Sequence, residues 1–212
     1  IGTSDFDPHN VDILGGPTHS MGIYKSVDSG NTWEPANGVE EKFPTDYSIS
    51  SMVVDPLNPD IVYVGTIGGG LWKSWDGGIS WKQIFRPIGV LCYDINALSI
   101  SSADPNIIYA AVYNYVPYSS PIRSPIPTGI AFQGGLYKGK LQEDGSYTWK
   151  KIFGNRVDDI VVDNNDPNKL YIVTCGYNVY KSADGGTNWE DASGNHGEDR
   201  LPSVLFDRPW DY

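Results

Sequence analysis

Ser74-Trp75-Asp76-Gly77-Gly78-Ile79-Ser80-Trp81 decides the fold of this 212-residue chain, because it recurs. The pattern returns as Ser26-Val27-Asp28-Ser29-Gly30-Asn31-Thr32-Trp33 and as Ser182-Ala183-Asp184-Gly185-Gly186-Thr187-Asn188-Trp189. Each copy follows an alternating apolar run: Gly22 to Lys25, Gly70 to Lys73 and Tyr177 to Lys181. A worn copy, Gln142-Glu143-Asp144-Gly145-Ser146-Tyr147-Thr148-Trp149, follows Gly135 to Lys138; it has lost the serine and moved its glycine. Four boxes mark four units.

A second repeated element lies upstream of each box. Asp55-Pro56-Leu57-Asn58-Pro59 leading to Tyr63 matches Asp104-Pro105 leading to Tyr109, and Asp163 to Pro167 leading to Tyr171, with Asp7-Pro8-His9-Asn10 as the first copy. Another short alternating run precedes the later copies at Ile49 to Val54, Ile95 to Ile100 and Val157 to Val162. Each unit therefore reads strand, Asp/Pro/Asn turn, strand, variable loop, strand, box turn, strand, with no helical period. The average from Asp7 to Asp207 is about fifty residues per unit, which suits a four-stranded propeller blade. The expected fold is an all-β propeller with units at about 1–47, 48–93, 94–156 and 157–200, and with 201–212 opening a further blade.

The box has a mechanical explanation. A carboxylate at its third position can accept backbone N–H groups in a tight turn, and glycine takes the φ > 0 position. The tryptophan is expected to pin the turn to its own blade by burying a large flat ring. An EF-type calcium loop needs several more oxygen ligands at alternate positions, so no metal is assigned and no cofactor is expected.

Composition narrows the function. The 24 glycines and 15 prolines argue for many turns, while 40% hydrophobic and 13% aromatic residues exceed what chains that stay unfolded carry. The formal charge of -11, without a basic cluster, excludes a phosphate-backbone partner, so no nucleic acid is expected. No apolar run reaches the roughly eighteen residues of a bilayer span, so no membrane insertion by a helix is expected. Cys92 and Cys175 form no C-x-x-C motif; both fall on one face of adjacent units, as a disulfide or as two free thiols.

Consecutive S-x-D-x-G-x-T-W boxes on four-stranded units resemble the Asp-box, or bacterial neuraminidase, repeat of sialidase-like β-propellers. The resemblance covers nearly the whole chain and specifies fold far better than function, since the family includes sialidases, xyloglucan-degrading endoglucanases, sortilin-type receptors, a photosystem assembly factor and surface proteins of unknown role. It implies a ring of six or more blades, so the remainder of a longer chain or another subunit is expected to complete it.

In a propeller of this kind the box turn and the Asp-Pro turn share one face, and the loops between blades share the other. The second face collects the variable segments and the long insertion from Tyr113 to Gly135, and loops on a rigid scaffold are where binding usually resides. Its candidate ligand-binding residues are Asp46, Tyr47, Tyr93, Asp94, Tyr113, Tyr115, Tyr118, Phe132 and Tyr177; flat rings with a polar tip suit a glycan or a protein partner.

Catalytic readings fare worse, and no catalytic residue is assigned. A sialidase needs an arginine triad and an early F-R-I-P motif, whereas Phe85-Arg86-Pro87-Ile88 has those letters in another order and in another blade. His9, His19 and His196 stand singly, with no nucleophile beside them. A glycosidase needs two carboxylates across a groove, and Asp46, Asp94, Asp158 and Asp159 all precede inner strands on the loop face. In the xyloglucanase-like members the two acids come from separate propellers, so the resemblance leaves at most one here. Two readings follow: a non-catalytic extracellular or cell-surface module binding a glycan or protein through its loop face, or the N-terminal part of a glycoside hydrolase acting on β-glucans such as xyloglucan.

Overall fold

The computed structural model describes residues 2–4, 20–39, 42–44, 46–86, 93–114, 134–174 and 178–194. Among these residues there is no helix. The first sheet holds β1 (Gly2–Ser4), β2 (Ser20–Lys25) and β3 (Glu34–Pro35) in that order. The second holds β4 (Ile49–Val54), β5 (Val62–Thr66), β6 (Gly70–Ser74) and β7 (Lys82–Phe85). The third holds β8 (Tyr93–Ser101), β9 (Asp104–Asn114), β10 (Gly135–Leu141) and β11 (Tyr147–Phe153). The fourth holds β12 (Val157–Val162), β13 (Leu170–Thr174), β14 (Asn178–Ser182) and β15 (Glu190–Asp191). Every sheet is an antiparallel meander.

The blades stand side by side through their first strands, with β8 packed on both β4 and β12. Strands between two blades are buried on both faces, as in β9, where Ile108 to Val112 are all 0% exposed. Strand β13 alternates buried and open residues instead, since among the described residues only one of its faces packs against another blade. Among the described residues the sheets do not close a ring; they form an incomplete propeller. In the first sheet β1 pairs directly with β2, through Thr3↔Gly22; residues 5–19, which include the first Asp-Pro element, lie outside the described ones. The boundary at 201–212 and both cysteines also lie outside them.

The three well-formed boxes build one turn three times. The carboxylate of Asp28 accepts the Thr32 N–H at 2.8 Å, that of Asp76 accepts the Ser80 N–H at 2.8 Å, and that of Asp184 accepts the Asn188 N–H at 2.9 Å. The box serine closes the other side, its hydroxyl accepting the N–H of Gly30, Gly78 or Gly186 at 2.8 to 2.9 Å. Hydrogen bonds from the Thr32 hydroxyl and N–H and the Ser26 hydroxyl hold Asp28, and those from the Asn188 N–H and side-chain amide and the Ser182 hydroxyl hold Asp184, well below the usual carboxylate range, at about 2. The box turn also joins the Asp-Pro turn on one face, as Gly77 N–H donates to the Asp60 carbonyl at 2.8 Å and Gly185 N–H to that of Asn168 at 2.9 Å.

The tryptophan does something the sequence did not indicate. Trp81, 2% exposed, donates its indole N–H to the carbonyl of Ala36 in the preceding blade at 2.7 Å, and Trp189 donates to that of Ile152 at 3.1 Å. Each acceptor lies three residues after the preceding box tryptophan, Trp33 and Trp149 respectively. The ring therefore ties its box to the neighbouring blade and not to its own, because the apolar space for a large ring lies between sheets. The contact is close: a Cβ on Gly78, whose φ is +96°, would stand 2.7 Å from the Ala36 Cβ.

Candidate functional site

The first residues of the inner strands bring one set of predicted residues together on the loop face. Tyr47 lies just before β4, and Asp94 is the second residue of β8, where it forms an isolated bridge with Ile67. Both converge on the Ile67-Gly68-Gly69 turn that links β5 to β6. The Gly68 N–H donates to the Asp94 carboxylate at 3.1 Å. The Tyr47 ring lies on Gly69 so closely that a Cβ there would stand 2.5 Å from a ring carbon. The Gly69 carbonyl is fixed from behind by the Trp72 indole at 3.0 Å and the Gln83 amide at 2.7 Å. Backbone held this way leaves the ring and the carboxylate in set positions.

Tyr113 extends the row, since it is the cross-strand partner of Asp94 in the β8–β9 pair. The Arg156 guanidinium lies over its ring at 4.4 Å, and the Arg156 Nε donates to Asp158 at 2.6 Å. Tyr47, Asp94, Tyr113 and Arg156 thus run along one end of the second, third and fourth sheets. Burial pushes the Asp94 carboxyl up, against the opposing Gly68 hydrogen bond, so it keeps its proton to higher pH than an open aspartate. A half-buried acid in this row can donate or accept a proton, and the Tyr47 and Tyr113 rings offer flat apolar faces.

The sequence analysis placed Asp94, Asp158 and Asp159 before inner strands; Asp94 lies inside β8, and Asp158 and Asp159 lie inside β12, whose bounds are those of the alternating run Val157 to Val162. Alternation stops being visible at strand ends because the loop-side residues there are polar. The Asp159 carboxylate caps the Ile160 N–H at 2.8 Å, and Asp46 is exposed. Tyr93 opens β8, while Tyr115, Tyr118, Phe132 and Tyr177 lie outside the described residues. Arg156 was not singled out as a binding residue, although it stands just before β12 as Tyr47 stands just before β4. A groove of about 290 Å³ opens on the box face, lined by Tyr24, Trp33, Met52, Val54 and Trp81. It belongs to the packing between the first two sheets.

No protein-family model matches this chain, and no curated protein does. Solved structures do. The chain is similar to the GH74 enzyme of Niastella koreensis, with 24% identity and a TM-score of 0.57 over 80% of this chain and 26% of that one. It is similar to the GH74 xyloglucanase of Xanthomonas campestris, with 18% identity and a TM-score of 0.57 over 82% and 27%. An ancestral GH74 enzyme matches at 22% identity and a TM-score of 0.53, over 79% and 21%. The likeness is one of propeller fold, and the chain spans about a quarter of the length of these enzymes. Among the described residues no group of histidine, cysteine and carboxylate side chains is placed to hold a metal ion.

Proposed function

We propose that this chain is the propeller portion of an extracellular protein that binds a β-glucan polysaccharide along its loop face. The observation that carries the reading is the row Tyr47, Asp94, Tyr113 and Arg156, which spans adjacent blades and presents aromatic faces beside hydrogen-bonding groups. A sugar ring lays its apolar C–H face on such a tyrosine while its hydroxyls exchange bonds with carboxylate and guanidinium, a pairing that suits a neutral ligand on an acidic chain. The similarity to GH74 enzymes, one of them a xyloglucanase, supports a branched β-glucan as ligand.

A second reading is favoured by Asp94 alone. A carboxyl whose pKa is raised by burial is what a glycosidase needs in its general acid, and here it would be one member of a pair whose other acid belongs to a different propeller.

Isothermal titration with xyloglucan and with cello-oligosaccharides tests the binding role. Binding by the wild-type chain, weakened at least tenfold in Tyr47→Ala and Tyr113→Ala and unchanged in the box variant Asp28→Ala, is expected. A chain that binds neither ligand, or whose binding ignores both tyrosines, overturns the proposal. Asp94→Asn separates the two readings, because retained binding with lost hydrolysis in a chain carrying both propellers marks a catalytic acid.

A further inference from the structure

One cross-strand position repeats in every blade, and in the third it breaks the pattern. The lysine that ends each alternating apolar run pairs directly with a residue of the outer strand: Lys25↔Glu34, Lys73↔Lys82, Lys138↔Lys150 and Lys181↔Glu190. In the fourth blade the two side chains form an ion pair at 3.2 Å. Like charges set opposite each other in a sheet are destabilising. The second blade relieves the conflict by turning Lys73 inward onto the Tyr147 hydroxyl at 2.8 Å. The third blade adds a further lysine instead.

In the other units this lysine immediately precedes the box serine, whereas Gly139-Lys140-Leu141 stand between Lys138 and the worn box. The extra residues lengthen the hairpin by the pairs Gly139↔Trp149, Lys140↔Thr148 and Leu141↔Tyr147. Side chains alternate along a strand, so Lys138, Lys140 and Lys150 share one face of the hairpin. Trp149 takes the other face, lying on Gly139 where a Cβ would stand 2.6 Å from its ring. Lys140 is two residues, about 7 Å, along the strand from Lys138, and Lys150 is about 5 Å across from it.

No ion pair neutralises this cluster among the described residues, although Lys25, Arg156, Lys169 and Lys181 each have a carboxylate partner in a chain of formal charge -11. Lys140 and Lys150 are exposed. Half-buried Lys138 leans over the Tyr109 ring and donates to the Gly185 carbonyl at 3.4 Å. Burial lowers its pKa, with the Asp104 charge opposing and the Lys140 and Lys150 charges reinforcing the shift. The blade is internal to the array, with the second and fourth sheets on either side. Edge protection explains one charge on an outer strand, but Glu34 and Glu190 serve at the same position, so it does not call for three lysines on one face.

We propose that the Lys138, Lys140 and Lys150 face of the β10–β11 hairpin binds a polysaccharide that carries carboxylate groups, at a site separate from the loop-face row. Lys138 and Lys140 pair with Tyr109 and Ile107 of β9, whereas Tyr113 stands toward the other end of that strand. Ammonium groups on flexible stems are point donors that can follow charges along a chain without the planar matching an arginine imposes. Thr148, across from Lys140, puts a hydroxyl on the same face. A protein partner would need an apolar anchor, and among the described residues no large apolar side chain of β10 or β11 is exposed. Charge complementarity on a polar face suits an acidic glycan.

Isothermal titration of the full chain with polygalacturonate, at about 20 mM and about 200 mM salt, tests this site without any neutral glucan. Binding at low salt that weakens at high salt is expected. Lys150→Glu should lower affinity by about tenfold or more, as charge-assisted bonds are lost. Its thermal unfolding should stay at or above that of wild type, because the change recreates the Lys–Glu pair of the first and fourth blades. Lys140→Gln should weaken binding too, while Lys82→Gln, at the same strand position in the neighbouring blade, should leave it unchanged. No binding at low salt, binding that Lys150→Glu and Lys140→Gln leave intact, or an equal loss in Lys82→Gln overturns the proposal. Tighter binding of poly-L-glutamate also overturns it, in favour of a protein partner.

Discussion

Trp149 stacks on Phe85 of the preceding blade with ring centroids 4.1 Å apart, yet its buried indole N–H meets no acceptor among the described residues. This is the worn box, and its ring lies within β11, opposite Gly139, instead of leaving a turn. A buried unpaired donor costs about 1–3 kcal/mol, whereas a made indole bond stabilises and strands its acceptor when lost. The two tryptophans should therefore respond unequally to the same change. Trp149→Phe is expected to leave stability within about 1 kcal/mol of wild type, and Trp81→Phe to cost about 2–3 kcal/mol through the lost bond and the smaller ring. Urea unfolding of both variants checks the contrast.

Asp76→Ala removes the acceptor of the Ser80 N–H and hydroxyl and of the Ser74 hydroxyl. A loss of about 1–2 kcal/mol near neutral pH is expected, with glycan binding unchanged. Burial raises the Asp76 pKa and the Ser80 and Ser74 bonds outweigh it, leaving the carboxyl below its ordinary value. Its contribution is thus present above the unfolded value and fades as pH falls through the folded one, so the gap between wild type and variant should close in acid.

Lys73 gives the opposite pH window. It is 1% exposed, lies over the rings of Tyr63, Trp75 and Tyr147, and donates to the Tyr147 hydroxyl at 2.8 Å. Burial lowers its pKa to about 8 from an ordinary 10.5, with the Asp55 charge opposing. Between those values the unfolded chain holds a proton that the folded chain has released, so stability rises with pH there; below about 8 both states are protonated and the contribution is flat. Lys73→Met should lack that rise. The difference from wild type, measured by urea unfolding at pH 7.5 and pH 10, is expected to shift by about 1–2 kcal/mol.

The local half of this architecture is readable from residue types. A serine, an aspartate and a glycine within five positions dictate the box turn because their bonds run only two to four residues along the chain. The destination of the indole is not readable so, since its acceptor is a backbone carbonyl 37 or 45 residues away and a carbonyl carries no side-chain signature. The site shows the same division. Tyr47, Asp94 and Tyr113 announce themselves by type at strand ends, whereas Arg156 acquires its meaning only from the ring beneath it.

Gly69→Ala tests whether the Tyr47 position matters independently of the ring's chemistry. The added Cβ would meet both the Tyr47 ring and the Thr66 hydroxyl, so the ring must move. Glucan affinity should fall at least fivefold while tyrosine remains present, measured by the same titration used for Tyr47→Ala. Unchanged affinity would mean that the placement of the ring on the turn is irrelevant to binding.

The direction of the indole bonds sets an order of assembly. Trp81 reaches back to Ala36 and Trp189 back to Ile152, toward chain that a ribosome has already released. A nascent blade therefore finds its docking partner waiting and never has to hold its tryptophan in solvent until later residues appear. Loops of this length close quickly relative to synthesis at about 5–20 residues per second. Each sheet can be fastened as it emerges, and a break in synthesis leaves a shorter array whose existing joints are already made.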